Sequence, residues 1–251
     1  MRNFRRFGLI AVGAVLVLSG CGGDDGGGSE SASPAASAPE VTADETLAAG
    51  VPAAIKDSGT LLFGTDASYA PNQFLAEDGS TIVGFDIDLG NAIAAKLGLA
   101  AKWENSTFDS LIVGVQNGKF NASMSSFTVN PEREKQVNMV TYFEAGTSWA
   151  VATGNPAGID PADPCGKTVA VQKATVQVDD IEARNADCKS AGKPEINIQQ
   201  YTLQSDATTA VVSGKADAML ADSPVVAYAI KLTSSLEQLG DIYDSAPYGV
   251  V

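Results

Sequence analysis

Thr60-Leu61-Leu62-Phe63-Gly64-Thr65-Asp66 is a short apolar run that stops on an acid, and it reads as a strand ending at Asp66. Asp86 to Leu97 follows, with Leu89, Ile93 and Leu97 four residues apart on one helical face and Gly98 as the stop. Between the two, Ser68 to Ser80 is rich in turn formers and is expected to be a loop. Ala101 to Glu104 fits a second strand, and Phe108, Leu111, Ile112 and Val115 make the next helical stripe, closed at Asn117-Gly118. Short apolar strands alternating with helices predict α/β layers.

The same unit returns later. Val115-Gln116-Asn117-Gly118-Lys119 leads into a small-residue strand at Phe120 to Ser125, and Val211-Val212-Ser213-Gly214-Lys215 leads into a strand at Ala216 to Ala221. The echo suggests two lobes of similar build. Each would present residues at the carboxyl end of a strand, where open α/β sheets bind ligands.

Outward from this core, the N-terminus carries Arg2, Arg5 and Arg6 and then an apolar run from Leu9 to Leu18. Ten residues are too few to span a bilayer and suit a secretory signal over residues 1–20. Leu18-Ser19-Gly20-Cys21 looks like a lipobox, with Cys21 acylated; the alternative is an ordinary signal that contains a cysteine. Residues 22–45 are Gly, Ser, Ala, Pro and acid, so 21–57 is expected to be a disordered linker behind the anchor.

The chain has 16 basic and 30 acidic residues; without the three signal arginines it has 13 basic and a net charge of −17. That argues against nucleic acid or an anionic membrane surface as partner. With Cys21 as the anchor, Cys165 and Cys188 remain in an oxidising compartment, where a disulfide or two buried thiols are open. The absence of histidine removes the commonest acid–base and zinc chemistry, and no metal constellation or cofactor motif is visible.

Gly64-Thr65-Asp66-Ala67-Ser68-Tyr69-Ala70-Pro71, Val83-Gly84-Phe85-Asp86-Ile87-Asp88-Leu89 and Phe108-Asp109-Ser110-Leu111-Ile112 stand in order along the first half. Thr128-Val129-Asn130-Pro131-Glu132-Arg133 and Tyr142-Phe143-Glu144-Ala145-Gly146 follow, then Lys167 to Gln172 and Ala218 to Pro224. Jointly these resemble the solute-binding proteins of polar amino-acid ABC transporters, which have the type II periplasmic-binding-protein fold. The resemblance implies two α/β lobes joined by a two-strand hinge. Lobe one would be 58–148 plus 247–251, and hinge and lobe two 149–246. The family normally continues with further lobe-one and hinge-side helix, so the resemblance implies that the C-terminal part of lobe one is missing.

A free amino acid carries an ammonium and a carboxylate, and burying either unpaired costs several kcal/mol. By resemblance Arg133 grips the carboxylate and Asp222 the ammonium. Local physics alone would make Arg133 a solvated first-turn residue and Asp222 a cap on the helix that starts at Ser223-Pro224. Thr175 and Val176 lie where a strand meets a helix, with N–H donors for the carboxylate; the alternative is an ordinary N-cap. Ser125, Ser126 and Thr128 would complete the charged shells, and the Ser-Ser pair is similar to relatives that take basic amino acids. Tyr69 and Phe108 would wall the aliphatic part, although lone aromatics are more often core. Asp66 would contact the distal side-chain group and favour a cationic or amide ligand. Asn72, where the family usually carries phenylalanine, would make the pocket more polar.

The expectation is therefore a monomeric, lipid-anchored solute-binding protein on the outer face of the cytoplasmic membrane. It would close on a free amino acid without transforming it and dock on an ABC permease. The rivals are a ligand-sensing lipoprotein and a dehydratase-like enzyme on the same fold.

Overall fold

The structure is a computed structural model that describes residues 41–251. The expected signal over 1–20 and the lipobox Cys21 lie outside the described residues. The expected linker is corrected at its end. Helices α1 (Glu45–Ala49) and α2 (Ala53–Ser58) form within it. Val51 and Ile55, four apart, pack on the core beside Leu61 and Ala94. Asp44 caps α1 by accepting from the N–H groups of Thr46 and Leu47. The apolar positions after residue 46 outweigh the polar composition that precedes them.

Lobe one begins with β1 (Thr60–Thr65). The expected loop then holds three very short strands, β2 (Ser68–Tyr69), β3 (Gln73–Leu75) and β4 (Ile82–Val83), which pair as an antiparallel sheet. Strands of two or three residues leave no alternation to read, so only their pairing reveals them. Next come α3 (Phe85–Lys96), β5 (Ala100–Asn105), α4 (Phe108–Gln116), β6 (Ala122–Ser123), β7 (Phe127–Thr128) and α5 (Pro131–Glu134). β1 lies parallel between β5 and β6. Leu61, Phe63 and Met124 face α3 and Trp103; Leu111, Phe120 and Phe127 form a second core on the α4 side.

β8 (Val140–Ala152) leaves lobe one and feeds lobe two, made of β9 (Thr168–Gln172), α6 (Val176–Ser190), β10 (Asn197–Tyr201), α7 (Gln204–Val212), β11 (Ala218–Asp222) and α8 (Ser223–Leu232). β12 (Leu236–Val250) then returns, pairing with β8 along almost its whole length and with β7 at Tyr248 and Gly249. The order β10-β9-β11-β8-β12-β7 is one continuous sheet reaching from lobe two into lobe one. Its inner strands are buried on both faces: Ala170, Met219 and Ala221 face α7 and α8, whereas Val169, Val171 and Leu220 face α6.

Cys165 and Cys188 are joined, with Cα atoms 5.6 Å apart across a separation of 23 residues. Closing a loop of that length removes about 3 kcal/mol of unfolded-state freedom. Cys188→Ser is therefore expected to lower unfolding stability by about 3 kcal/mol in non-reducing denaturant titrations. Reductant should destabilise the wild type similarly and leave the variant unchanged; equal midpoints for both proteins would contradict this.

Candidate functional site

The carboxyl ends of β1, β9 and β11 and the amino ends of α4, α6 and α8 converge on one crevice between the lobes. It encloses about 280 Å³ of space, its mouth included. All ten sequence-derived candidates line it: Asp66, Tyr69, Phe108, Ser125, Ser126, Thr128 and Arg133 from lobe one, and Thr175, Val176 and Asp222 from lobe two.

Arg133 belongs to the short α5, whose start is fixed by Asn130 capping the Arg133 N–H at 2.9 Å and by Pro131 at the first position. Its side chain is not solvated but only 8% exposed. Nη1 donates to the Thr128 carbonyl at 2.7 Å and Nη2 crosses to the Ala174 carbonyl of lobe two at 3.1 Å. The guanidinium also lies 5.5 Å from the Phe108 ring centroid and 5.7 Å from that of Phe127. Two of five guanidinium donors are thus engaged, leaving the others for an anion. Burial lowers its pKa, and the charge of Asp222 opposes that shift.

Asp222 precedes α8 but does not cap it. Its carboxylate turns instead to the crevice floor, accepting from Gln177 Nε2 at 2.8 Å and from the Tyr248 hydroxyl at 2.7 Å. Its own N–H donates across the lobes to the Tyr69 hydroxyl at 3.1 Å. Burial raises the pKa of Asp222, and hydrogen bonds from Tyr248, Tyr69 and Gln177 hold it down. No cation forms an ion pair with it among the described residues.

Thr175 also fails to cap. Its hydroxyl donates backwards to the Gln172 carbonyl at 2.8 Å, so the first N–H groups of the fifteen-residue α6 meet the crevice without a side-chain partner. A helix N-terminus with uncommitted donors attracts an anion. Arg133 and the start of α6 therefore form one anion-accepting wall, and Asp222 a cation-accepting one.

Asp66, just after β1, is 1% exposed. Oδ2 accepts from the Phe108 N–H at 2.9 Å and from Gln172 Nε2 of lobe two at 3.0 Å; Oδ1 is buried with no partner among the described residues. Burial raises its pKa, and the neighbouring Ser68 and the bonds from Phe108 and Gln172 oppose the rise. Phe108 and Tyr69 give the crevice apolar lining, Phe108 stacking on Phe127 at 4.9 Å. The Ser125 hydroxyl accepts from the Asp66 N–H and from Gln73 Nε2, each at 3.1 Å. Ser126 stands at φ 56, a conformation that costs a non-glycine residue about 1 kcal/mol.

Three lining residues were missed by sequence reasoning: Gln73, Gln172 and Gln177. Gln172 ends β9 as Asp66 follows β1, so the strand-end rule applied to lobe two would have found it. Gln177 bridges Thr147 and Asp222 from the first turn of α6. Asn72 is corrected: it does not reach the crevice but lies behind it, donating to Ser126 Oγ at 2.9 Å.

A sequence profile of the bacterial extracellular solute-binding proteins, family 3, matches residues 61–222. The arginine-binding protein ArgT of Corynebacterium glutamicum is 38% identical over 201 residues, covering 79% of this chain; the chain spans 66% of that protein's length. Among solved structures, an ancestral arginine-binding protein bound to arginine is 33% identical with a TM-score of 0.70, over 76% of this chain and 83% of that one. An ancestral amino acid-binding protein described as a precursor of cyclohexadienyl dehydratase is 35% identical with a TM-score of 0.67, over 78% of this chain and 83% of that one. These neighbours share the two-lobed type II periplasmic-binding-protein fold. The chain belongs to the bacterial extracellular solute-binding proteins, family 3.

Proposed function

We propose that this chain binds a free cationic amino acid, with L-arginine as the first candidate, in the interlobe crevice and leaves it chemically unchanged. One observation carries the reading: a buried guanidinium with spare donors and two buried carboxylates line the same crevice, and Oδ1 of one of them, Asp66, has no partner among the described residues. These three charges complement the carboxylate, the ammonium and the side-chain cation of such a solute. The names of the relatives point the same way.

The chain acts as the monomeric solute receptor of an ABC importer, lipid-anchored outside the cytoplasmic membrane through Cys21. The solute meets Arg133 on lobe one, then Asp222 and the start of α6 arrive as the lobes shut.

Thermal-shift screening of the twenty amino acids plus ornithine and citrulline, followed by calorimetric titration, tests this. Arginine should give the largest shift, and glutamate none. Asp66→Asn should weaken arginine at least tenfold, because a charge-assisted bond is worth about 1.5–3 kcal/mol, while citrulline, the uncharged mimic, changes less. Equal losses for both solutes would remove Asp66 from the side-chain site. Conversion of arginine to another product during incubation would overturn the binding-only reading.

A further inference from the structure

Outside the lining of the crevice lies a third buried carboxylate. Asp86 sits in the first turn of α3 and is 0% exposed. The chain reaches it through Gly84, at φ +130, where a Cβ would stand 2.3 Å from the Asn72 carbonyl oxygen, so only glycine fits. The Phe85 and Asp86 N–H groups then bond the carbonyls of Pro71 and Asn72, which fixes the start of the helix against the turn before β3.

The Asp86 carboxylate gathers three donors on one oxygen. Oδ2 accepts from the Ser126 N–H at 3.0 Å, from Ser126 Oγ at 3.2 Å and from the Tyr142 hydroxyl at 2.9 Å. Oδ1 is buried with no partner among the described residues. The two donor residues belong to different parts of the machinery. Ser126 lines the crevice and is held in the left-handed region, with Asn72 and Gln73 bonding its hydroxyl from either side. Tyr142 lies on β8, one of the two strands that connect the lobes, and its ring leans on Tyr248 of β12, centroids 6.0 Å apart. Tyr248 in turn donates to Asp222.

We infer that Asp86 is a positioning residue for solute binding: from outside the crevice its carboxylate holds Ser126 in the turn that presents it to the solute, and anchors the root of the hinge through Tyr142. The inference rests on the amino-acid-binding reading above. An apolar residue at 86 would leave the Ser126 N–H and the Tyr142 hydroxyl buried without an acceptor. An asparagine would offer a weaker, uncharged acceptor and place an amide N–H₂ where Oδ1 now has no partner.

The ionisation of Asp86 gives a readout that packing alone would not. Burial pushes its pKa up to about 7, against hydrogen bonds from Tyr142 and Ser126 that pull it down. The groups that face the carboxylate are Ser126, from the turn before β7, and Tyr142, from β8; only Tyr142 titrates, and its own pKa is raised by burial and by Asp86. The side chains of Asn72 and Gln73, from the β2–β3 side, reach the Asp86 carboxylate only through Ser126 and carry no charge. A carboxyl whose folded pKa lies above its ordinary 3.8 contributes stability that is fully present below that value and is lost as the pH rises through about 7.

The test uses the full chain, with L-arginine as the titrant, comparing wild type, Asp86→Asn and Tyr142→Phe by calorimetry at pH 8 and by ligand-free melting from pH 5.5 to 8.5. Asp86→Asn is expected to weaken arginine at least tenfold at pH 8 while shrinking the loss of melting temperature between pH 6 and 8. Tyr142→Phe, which keeps the charge and removes one donor, should weaken binding several-fold and move the melting step to higher pH. Variants that fold, bind within twofold of wild type and keep its melting profile overturn the inference. If Asp86→Asn does not fold, Tyr142→Phe decides alone: unchanged affinity with an unmoved step overturns it. A wild type that binds no amino acid overturns the binding reading itself and is seen before any variant is made.

Discussion

Replacing Asp222 with asparagine is expected to weaken arginine binding by two to three orders of magnitude while leaving the ligand-free fold at least as stable at pH 8. The two effects have opposite signs for one reason. Asp222 is 5% exposed, and burial raises its pKa. With the folded pKa above the unfolded one, its contribution to stability is present below the ordinary value of 3.8 and fades as the pH rises through the folded value. Once ionised, the carboxylate is therefore a burden in the empty crevice, which asparagine removes. An arriving ammonium reverses the balance, since it supplies the direct ion pair that Asp222 lacks among the described residues. Without Asp222 that ammonium is buried against an amide, and an uncompensated buried charge costs about 3–5 kcal/mol. Calorimetry and denaturant unfolding on the same preparations check both halves. Affinity within threefold of wild type, or a loss of stability parallel to the loss of affinity, would remove Asp222 from the site.

Arg133→Ala should be as damaging to affinity, by about a thousandfold, and Arg133→Lys should recover only part of it. The fork geometry of a guanidinium grips a carboxylate with two parallel bonds, which an ammonium cannot copy. Alanine also deletes the bond from Nη2 to the Ala174 carbonyl, so the lobes lose a direct link when the anion loses its partner. Argininamide, which has no carboxylate, separates these contributions. Wild type should strongly prefer arginine to the amide, and Arg133→Ala should bind the two alike, weakly. If the variant still prefers arginine by the wild-type margin, the carboxylate is held elsewhere, with the start of α6 the first place to look.

Much of the crevice was legible because its residues fall where short-range patterns end. Asp66 follows an apolar run, Asp222 precedes Ser-Pro, and Thr175 separates a strand from a helix; charge or capping chemistry marks each position in the chain. What local pattern could not tell was the direction each side chain takes. Asp222 and Thr175 both stand at N-cap positions, yet neither caps, because Gln177 and Tyr248 draw the first and the Gln172 carbonyl the second. Gln177 and Tyr248 lie far from Asp222 in sequence and the Gln172 carbonyl is backbone, so no local pattern marks them; Gln73, Gln172 and Gln177 are uncharged amides without periodic signature and went unread. Asn72 failed for a related reason: a polar residue one position from the crevice can serve it or stand behind it, and only the close approach at Gly84 decides that it stands behind.

The pairing of β12 with β8 slips between Leu239 and Tyr243, between Tyr243 and Ala246, and again between Tyr248 and Gly249. At the middle of that stretch Gly146 lies so close to β12 that a Cβ would come within 2.6 Å of the Tyr243 carbonyl oxygen and of Ile242. If the ribbon bends where the rungs are missing, the parts on either side move as blocks. Asp222, the start of α6 and Gln172 would then swing away from the solute together, leaving it held by lobe one alone. Residence time would follow from how often this ribbon unbends, so a methyl group at position 146 could change the escape rate without touching any atom that meets the solute.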